Sequence, residues 1–120
     1  MDELYGINIA KGLSIVGGMN AVYCRLLGKF AHGAFLGELR EAVESADCER
    51  VAAKAHALKG VAANLGLEPL HALALAIEQK GKRNEPVGLD DPDFTLLAEC
   101  YEKTTESAAR IEADPSLLTR

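Results

Sequence analysis

Apolar side chains recur along this chain every three to four residues, interrupted by glycine, proline and short polar stretches. That spacing is the period of an amphipathic helix, and strict alternation never runs long enough to build a strand. The interruptions divide the chain into predicted helices at about residues 8–16, 20–45, 48–65, 69–80 and 92–113. Asn8 suits the N-cap of the first, which stops at Gly17-Gly18. In the second, Val22, Leu26 and Phe30 form a stripe. Phe35, Leu36, Leu39 and Val43 resume it beyond Gly33, where a bend is expected because glycine weakens a helix interior. Asp47 opens the third helix and Gly66 closes it. The fourth begins at Glu68-Pro69, turns Leu70, Leu73, Ala74 and Ile77 inward, and is expected to stop at Gly81. A loop bearing Gly, Pro and Asn leads to Asp91-Pro92, an N-cap followed by a first-turn proline. Phe94, Leu97, Tyr101, Ala108 and Ile111 face inward in the last helix. Asp114-Pro115 ends it, and the last few residues read as a frayed tail.

Four substantial helices joined by short connections imply an all-α fold, an antiparallel four-helix bundle with a short extra N-terminal helix. With 120 residues, the chain holds one core and is expected to form a single domain over 1–120. Composition agrees. Hydrophobic residues make up 48% of the chain but aromatics only 5%, so Ala and Leu, good helix formers, supply most of the core. A formal net charge of −5 argues against nucleic acid or an acidic membrane surface as partner. Cys24, Cys48 and Cys100 are odd in number and widely spaced, the pattern of reduced thiols rather than a disulfide frame. No apolar run approaches membrane-spanning length and no leader pattern precedes the first polar turns. A cytoplasmic location is expected, for a free-standing protein or a module of a membrane-anchored one alike.

The third helix carries the chemistry. On a wheel of about 100° per residue, Ala55, Leu58, Ala62 and Leu65 fall within roughly 40° of Val51 and define the core-facing stripe. His56 lies roughly 140° from Val51 and should face solvent. Its neighbours on the helix surface are Ala52, Ala53, Lys59 and Gly60, with Ala63 a turn further on. An ordinary solvated face would carry Glu, Lys, Gln and Arg. A mid-helix glycine forfeits about 1 kcal/mol relative to alanine, so Gly60 suggests room kept for something to approach. The face reads as a flat docking surface with a reactive group at its centre. A neutral imidazole nitrogen is a good nucleophile near physiological pH and needs no general base. A phosphoryl group placed on it would be within reach of Lys59, three residues on along the same face.

His56-Ala57-Leu58-Lys59-Gly60, followed by Asn64-Leu65-Gly66, resembles the signature of histidine phosphotransfer (HPt) domains: H-x-L-K-G, a few small residues, then an apolar residue and glycine. Gly6-Ile7-Asn8 to Gly17-Gly18, Tyr23-Cys24-Arg25-Leu26-Leu27 and Phe30 are similar to the first helices of these domains. Ala76-Ile77-Glu78 resembles the leucine–glutamate stretch of the helix that follows the histidine. The resemblance implies a phosphorelay intermediate that is phosphorylated on Nε2 of His56. Lys59 would stabilise the phosphoryl group, and Gly60 would leave space for the partner. That partner would be the aspartyl phosphate of a response-regulator receiver domain, with a sensor histidine kinase upstream. Mg²⁺ would belong to the receiver, and this chain would need no cofactor or metal of its own. A monomer suffices for such a role. Outside the third helix, the stretch beyond Gly33 is the expected docking neighbour of His56.

Two other classes compete. A non-catalytic helical adaptor would use the Ala/Gly face to dock a receiver or a partner helix without phosphate transfer. A metal or cofactor bundle would turn its histidines and carboxylates inward, whereas His56 points outward. An autonomous kinase is not expected, since the chain has no P-loop or other nucleotide-binding signature.

Overall fold

The computed structural model describes residues 4–119, so the expected domain span of 1–120 passes beyond the described residues at both ends. Among the described residues there are helices and no strands. They are α1 (Ile9–Ile15), α2 (Asn20–Ala31), α3 (Phe35–Glu44), α4 (Cys48–Leu65), α5 (Glu68–Lys82) and α6 (Pro92–Ala113), closed by a 3₁₀ turn over Pro115–Thr119. The architecture is the expected all-α bundle. Its four struts are the α2–α3 pair, α4, α5 and α6, and short α1 packs against the end of α4. No helix among the described residues is long and apolar enough to cross a membrane.

The ends of α4 and α6 lie where the capping residues put them. Asp47 accepts a hydrogen bond from the Arg50 amide at 3.2 Å, and Gly66 ends α4 in the left-handed conformation at φ 75°. Asp91 accepts from the amides of Asp93 and Phe94 at 2.9 and 3.3 Å, with Pro92 in the first turn. The core stripe of α4 is also as expected, with Val51, Ala55, Leu58, Ala62 and Leu65 all buried.

Gly66 does more than terminate a helix. A Cβ there would run into the backbone carbonyl of Asn8, and the Gly66 carbonyl accepts the Asn8 amide at 2.8 Å. Gly66→Ala is expected to destabilise the protein by at least about 1–2 kcal/mol from its left-handed backbone alone. Urea unfolding at neutral pH measures this. A variant as stable as the parent would mean that α1 is not held against α4 by this contact.

Four expectations need correction. The predicted helix over 20–45 is two helices. The chain breaks at His32–Ala34, where the Phe35 ring tucks in beside Gly33: a Cβ on Gly33 would sit 3.1 Å from that ring. The Gly33 carbonyl freed by the break accepts the Tyr101 hydroxyl at 3.4 Å, and the Phe30 ring packs between those of Phe35 and Tyr101. Second, the inward face of α2 is Tyr23, Cys24, Leu27 and Phe30, while Val22 and Leu26 are only half-buried. Tyr23 decides the phase. Its hydroxyl donates to the Leu65 carbonyl at 2.6 Å, satisfying an acceptor that the end of α4 leaves without a helical partner.

Third, α5 does not stop at Gly81 but continues to Lys82. A Cβ at Gly81 would lie 2.8 Å from both the Ala52 nitrogen and the Cys48 carbonyl oxygen. Glycine here permits close approach of two helices and is not a stop signal. Fourth, the tail through Thr119 folds as a 3₁₀ turn and is not frayed. Leu118 is buried, and the Asp114 carboxylate accepts from the Ser116 amide and hydroxyl at 3.2 and 2.6 Å, which sets the 3₁₀ turn.

Candidate functional site

His56 stands on the outer face of α4 with its side chain 67% exposed, as the wheel placed it. α5 packs along α4 and brings Glu78 beneath the imidazole. Nδ1 of His56 lies 2.7 Å from Oε2 of Glu78, and the Glu78 side chain is only 2% exposed. Lys59, one turn beyond His56 on α4, places Nζ 2.6 Å from Oε1 of that carboxylate. Lys82, one helical turn beyond Glu78 on α5, places its Nζ 3.2 Å from Oε2. A buried carboxylate thus holds three partners: the imidazole, one mostly buried ammonium and one exposed ammonium.

Burial acts to raise the Glu78 pKa, but the hydrogen bonds from Lys59, His56 and Lys82 outweigh it and bring the carboxyl down to about 2. Glu78 is therefore ionised at neutral pH and can only accept. A neutral His56 must then carry its proton on Nδ1 and donate it to Oε2. This fixes the tautomer and the plane of the ring, and turns the lone pair of Nε2 outward to solvent. The site offers a pre-oriented nucleophile backed by a buried negative charge. That charge stabilises the positive charge an imidazole gains when Nε2 forms a bond to an electrophile.

The small residues divide between two places. Ala53, Gly60 and Ala63 are exposed beside His56, together with Ala57, and make the expected low-relief surface. Nothing lies within 4 Å of a Cβ built on Gly60. The fold itself therefore does not require glycine there. Ala52 is half-buried at the α4–α5 seam, against Gly81. It spaces the helix that carries Glu78 and contributes less to the open face. Gly60→Ala is expected to stabilise the protein by up to about 1 kcal/mol, through helix propensity alone. The same change should weaken binding of any partner that needs the space. Thermal unfolding and partner titration read the two effects. A variant that is stabilised with no loss of binding would show that the gap is unused.

Sequence reasoning missed Glu78 as a partner of His56. The helix whose side chain touches the imidazole is α5, whereas the stretch beyond Gly33 was the expected neighbour. That stretch, α3, meets α4 on the other flank, where Lys54 and Glu38 pair at 3.4 Å. On that α3 side, where α2, α3 and α4 meet, lies an apolar groove of about 290 Å³ lined by Leu26, Phe30, Phe35, Val61 and Leu65, with Lys29 and Asn64 at its polar margin. Glu68 and His71 have Glu-x-x-His spacing, but Glu68 is exposed and engaged by Asn8 and Lys11 at 3.0 and 3.4 Å. No three His, Cys, Asp or Glu side chains among the described residues come together as a metal site.

The family model described as Hpt domain matches residues 31–107. The chain belongs to the Hpt domain family. Hpt domains are histidine phosphotransfer modules of phosphorelays, and they interact there with response regulators and histidine kinases. The match takes in α3, α4, α5 and most of α6, and so every residue of the His56–Glu78 site. The similarity seen in the sequence of the first two helices lies outside it, apart from the last residue of α2. No curated protein and no solved structure matches the chain.

Proposed function

We propose that this Hpt domain accepts a phosphoryl group on Nε2 of His56 from the aspartyl phosphate of a response-regulator receiver domain, and returns it to such an aspartate. The observation that carries the reading is the 2.7 Å contact between Nδ1 of His56 and buried Glu78, which leaves Nε2 as the free nucleophile. The Nε2 lone pair attacks phosphorus, and an N–P bond forms. The P–O bond to the receiver's aspartate breaks, its electron pair leaving with the carboxylate. No proton has to leave Nε2, because the ring proton sits on Nδ1. The imidazolium character that develops is matched by Glu78. Reversal follows the same path. Lys59 stabilises the phosphoryl group by its charge, from its place on Glu78. Mg²⁺ held by the partner receiver would supply further positive charge to the phosphoryl oxygens, while this domain supplies position and charge through His56, Glu78 and Lys59.

The receiver docks over Ala53, Ala57, Gly60 and Ala63, with Ala52 behind them at the seam, and extends over the adjoining apolar groove. The domain spans 1–120 as one unit acting as a monomer in the cytoplasm. It takes its phosphate from a relay headed by a sensor histidine kinase. It is a phosphocarrier and not a kinase.

The test is transfer of label from radiolabelled phospho-receivers to the protein. Acid-labile, base-stable label on the chain is expected. Binding to receivers without label, across a panel of them, would replace the carrier with the adaptor reading.

A further inference from the structure

Two ammonium groups meet Glu78, and they are not equivalent. The Lys59 side chain is 23% exposed and bonds at 2.6 Å to Oε1, an oxygen with no other partner among the described residues. Lys82 is 64% exposed and bonds at 3.2 Å to Oε2, the oxygen that already accepts His56 Nδ1 at 2.7 Å. If Lys59 left, a buried carboxylate oxygen would lose its partner, which is unfavourable. If Lys82 left, Oε2 would keep its hydrogen bond from His56, and Oε1 would keep Lys59. Lys82 is therefore the cation that can move at little expense.

Its position depends on the unexpected extension of α5 through Gly81, which sets Lys82 one turn after Glu78 on the face that meets His56. The other cations of that turn are engaged elsewhere. Lys80 is held by Asp91 at 2.9 Å and Asp93 at 3.0 Å, and Arg83 by Glu85 at 2.9 Å. Lys82 also has a flexible four-carbon stem and three donors, suited to following a phosphoryl group that extends away from the ring.

We propose that Lys82, not Lys59, is the residue of this domain that makes direct contact with the phosphoryl group on His56, moving to it from Oε2 of Glu78 while Lys59 stays behind as the fixed counter-ion of the carboxylate. In the transfer step, as the N–P bond forms and the P–O bond to the donor breaks, the Lys82 ammonium donates hydrogen bonds to phosphoryl oxygens and no proton changes hands. The assignment rests on the proposed site of phosphorylation, but its test does not need a receiver.

Potassium phosphoramidate, a small phosphoryl donor whose leaving group is ammonia, serves as the probe. The protein is footprinted with an amine-acylating reagent before and after loading. Loading is expected to protect Lys82 severalfold and to leave Lys59, already shielded, unchanged. Lys82→Met should slow loading of His56 by about tenfold, the worth of one charge-assisted hydrogen bond, and Lys82→Arg should recover most of it. Lys82→Met should also leave the Nδ1–H tautomer of unloaded His56 intact by ¹⁵N NMR, whereas Lys59→Met should disturb it. Protection of Lys59 in place of Lys82, or an unchanged loading rate in Lys82→Met, would overturn the assignment. Failure of phosphoramidate to label His56 would overturn this assignment, while the carrier role stands or falls on transfer from receivers. Labelling of His56 without transfer from receivers would overturn only the latter.

Discussion

Replacing His56 by glutamine is expected to abolish phosphoryl acceptance while leaving the fold and receiver binding nearly unchanged. Glutamine has no nucleophilic nitrogen, because its amide lone pair is delocalised, so transfer should fall to background. The position is exposed, and Oε2 of Glu78 keeps Lys82 at 3.2 Å, so no buried acceptor is orphaned. Stability should change by no more than about 0.5 kcal/mol, and receiver affinity by about twofold. Label transfer, urea unfolding and a binding titration on one preparation separate these quantities. Transfer retained in His56→Gln would move the phosphorylated residue elsewhere in the chain.

Glu78 should matter to both chemistry and stability. Glu78→Ala removes the acceptor that holds His56 in one tautomer and one orientation. By analogy with other residues that orient a reacting imidazole from behind, transfer should fall by about 10–100-fold. The same change leaves Lys59 facing an emptied site and should destabilise the protein by about 1–3 kcal/mol. Glu78→Gln keeps the shape and one acceptor, so its transfer defect should be smaller. The pH dependence has a definite sign. The Glu78 carboxyl has a pKa of about 2 in the folded protein against 4.5 in a free side chain. Its contribution to stability is therefore fully present above pH 4.5 and is lost as pH falls from there through about 2. Urea unfolding at pH 7 and at pH 3 tests this. The gap between wild type and Glu78→Gln should narrow at the lower pH. A gap that stays constant would mean the carboxylate is not held by its cations.

Local signals in the sequence were enough where the structure depends on local chemistry. The α4 stripe repeats over four turns, so its phase is unambiguous and places His56 outside. Asp47, Gly66 and Asp91-Pro92 act within a few residues of themselves and mark their helix ends correctly. The misreadings mostly concern what one helix meets on another. Gly81 looks like a stop until Ala52 and the Cys48 carbonyl are seen against it. Tyr23 looks like an incidental aromatic until its hydroxyl is found on Leu65. The break at Gly33 depends on a ring packing back and on Tyr101 taking the freed carbonyl. The same limit applies to the site. His56, Lys59 and Gly60 are neighbours on one helix and form a legible cluster. Glu78 lies 22 residues from His56, and only the α4–α5 packing joins them. One signal was present in the sequence. Glu78 directly follows Ile77 at the edge of the inward stripe of Leu70, Ala74 and Ile77, an unusual place for a carboxylate unless a cation or an imidazole waits for it.

The most direct measurement is to load the ¹⁵N-labelled protein with phosphate from a phospho-receiver and identify the nitrogen bonded to phosphorus by its ³¹P–¹⁵N coupling. Coupling at Nε2 of His56, with the Nδ1 proton retained, is the expected result. Coupling at Nδ1, or phosphate on any other residue, would contradict the role assigned to the His56–Glu78 pair.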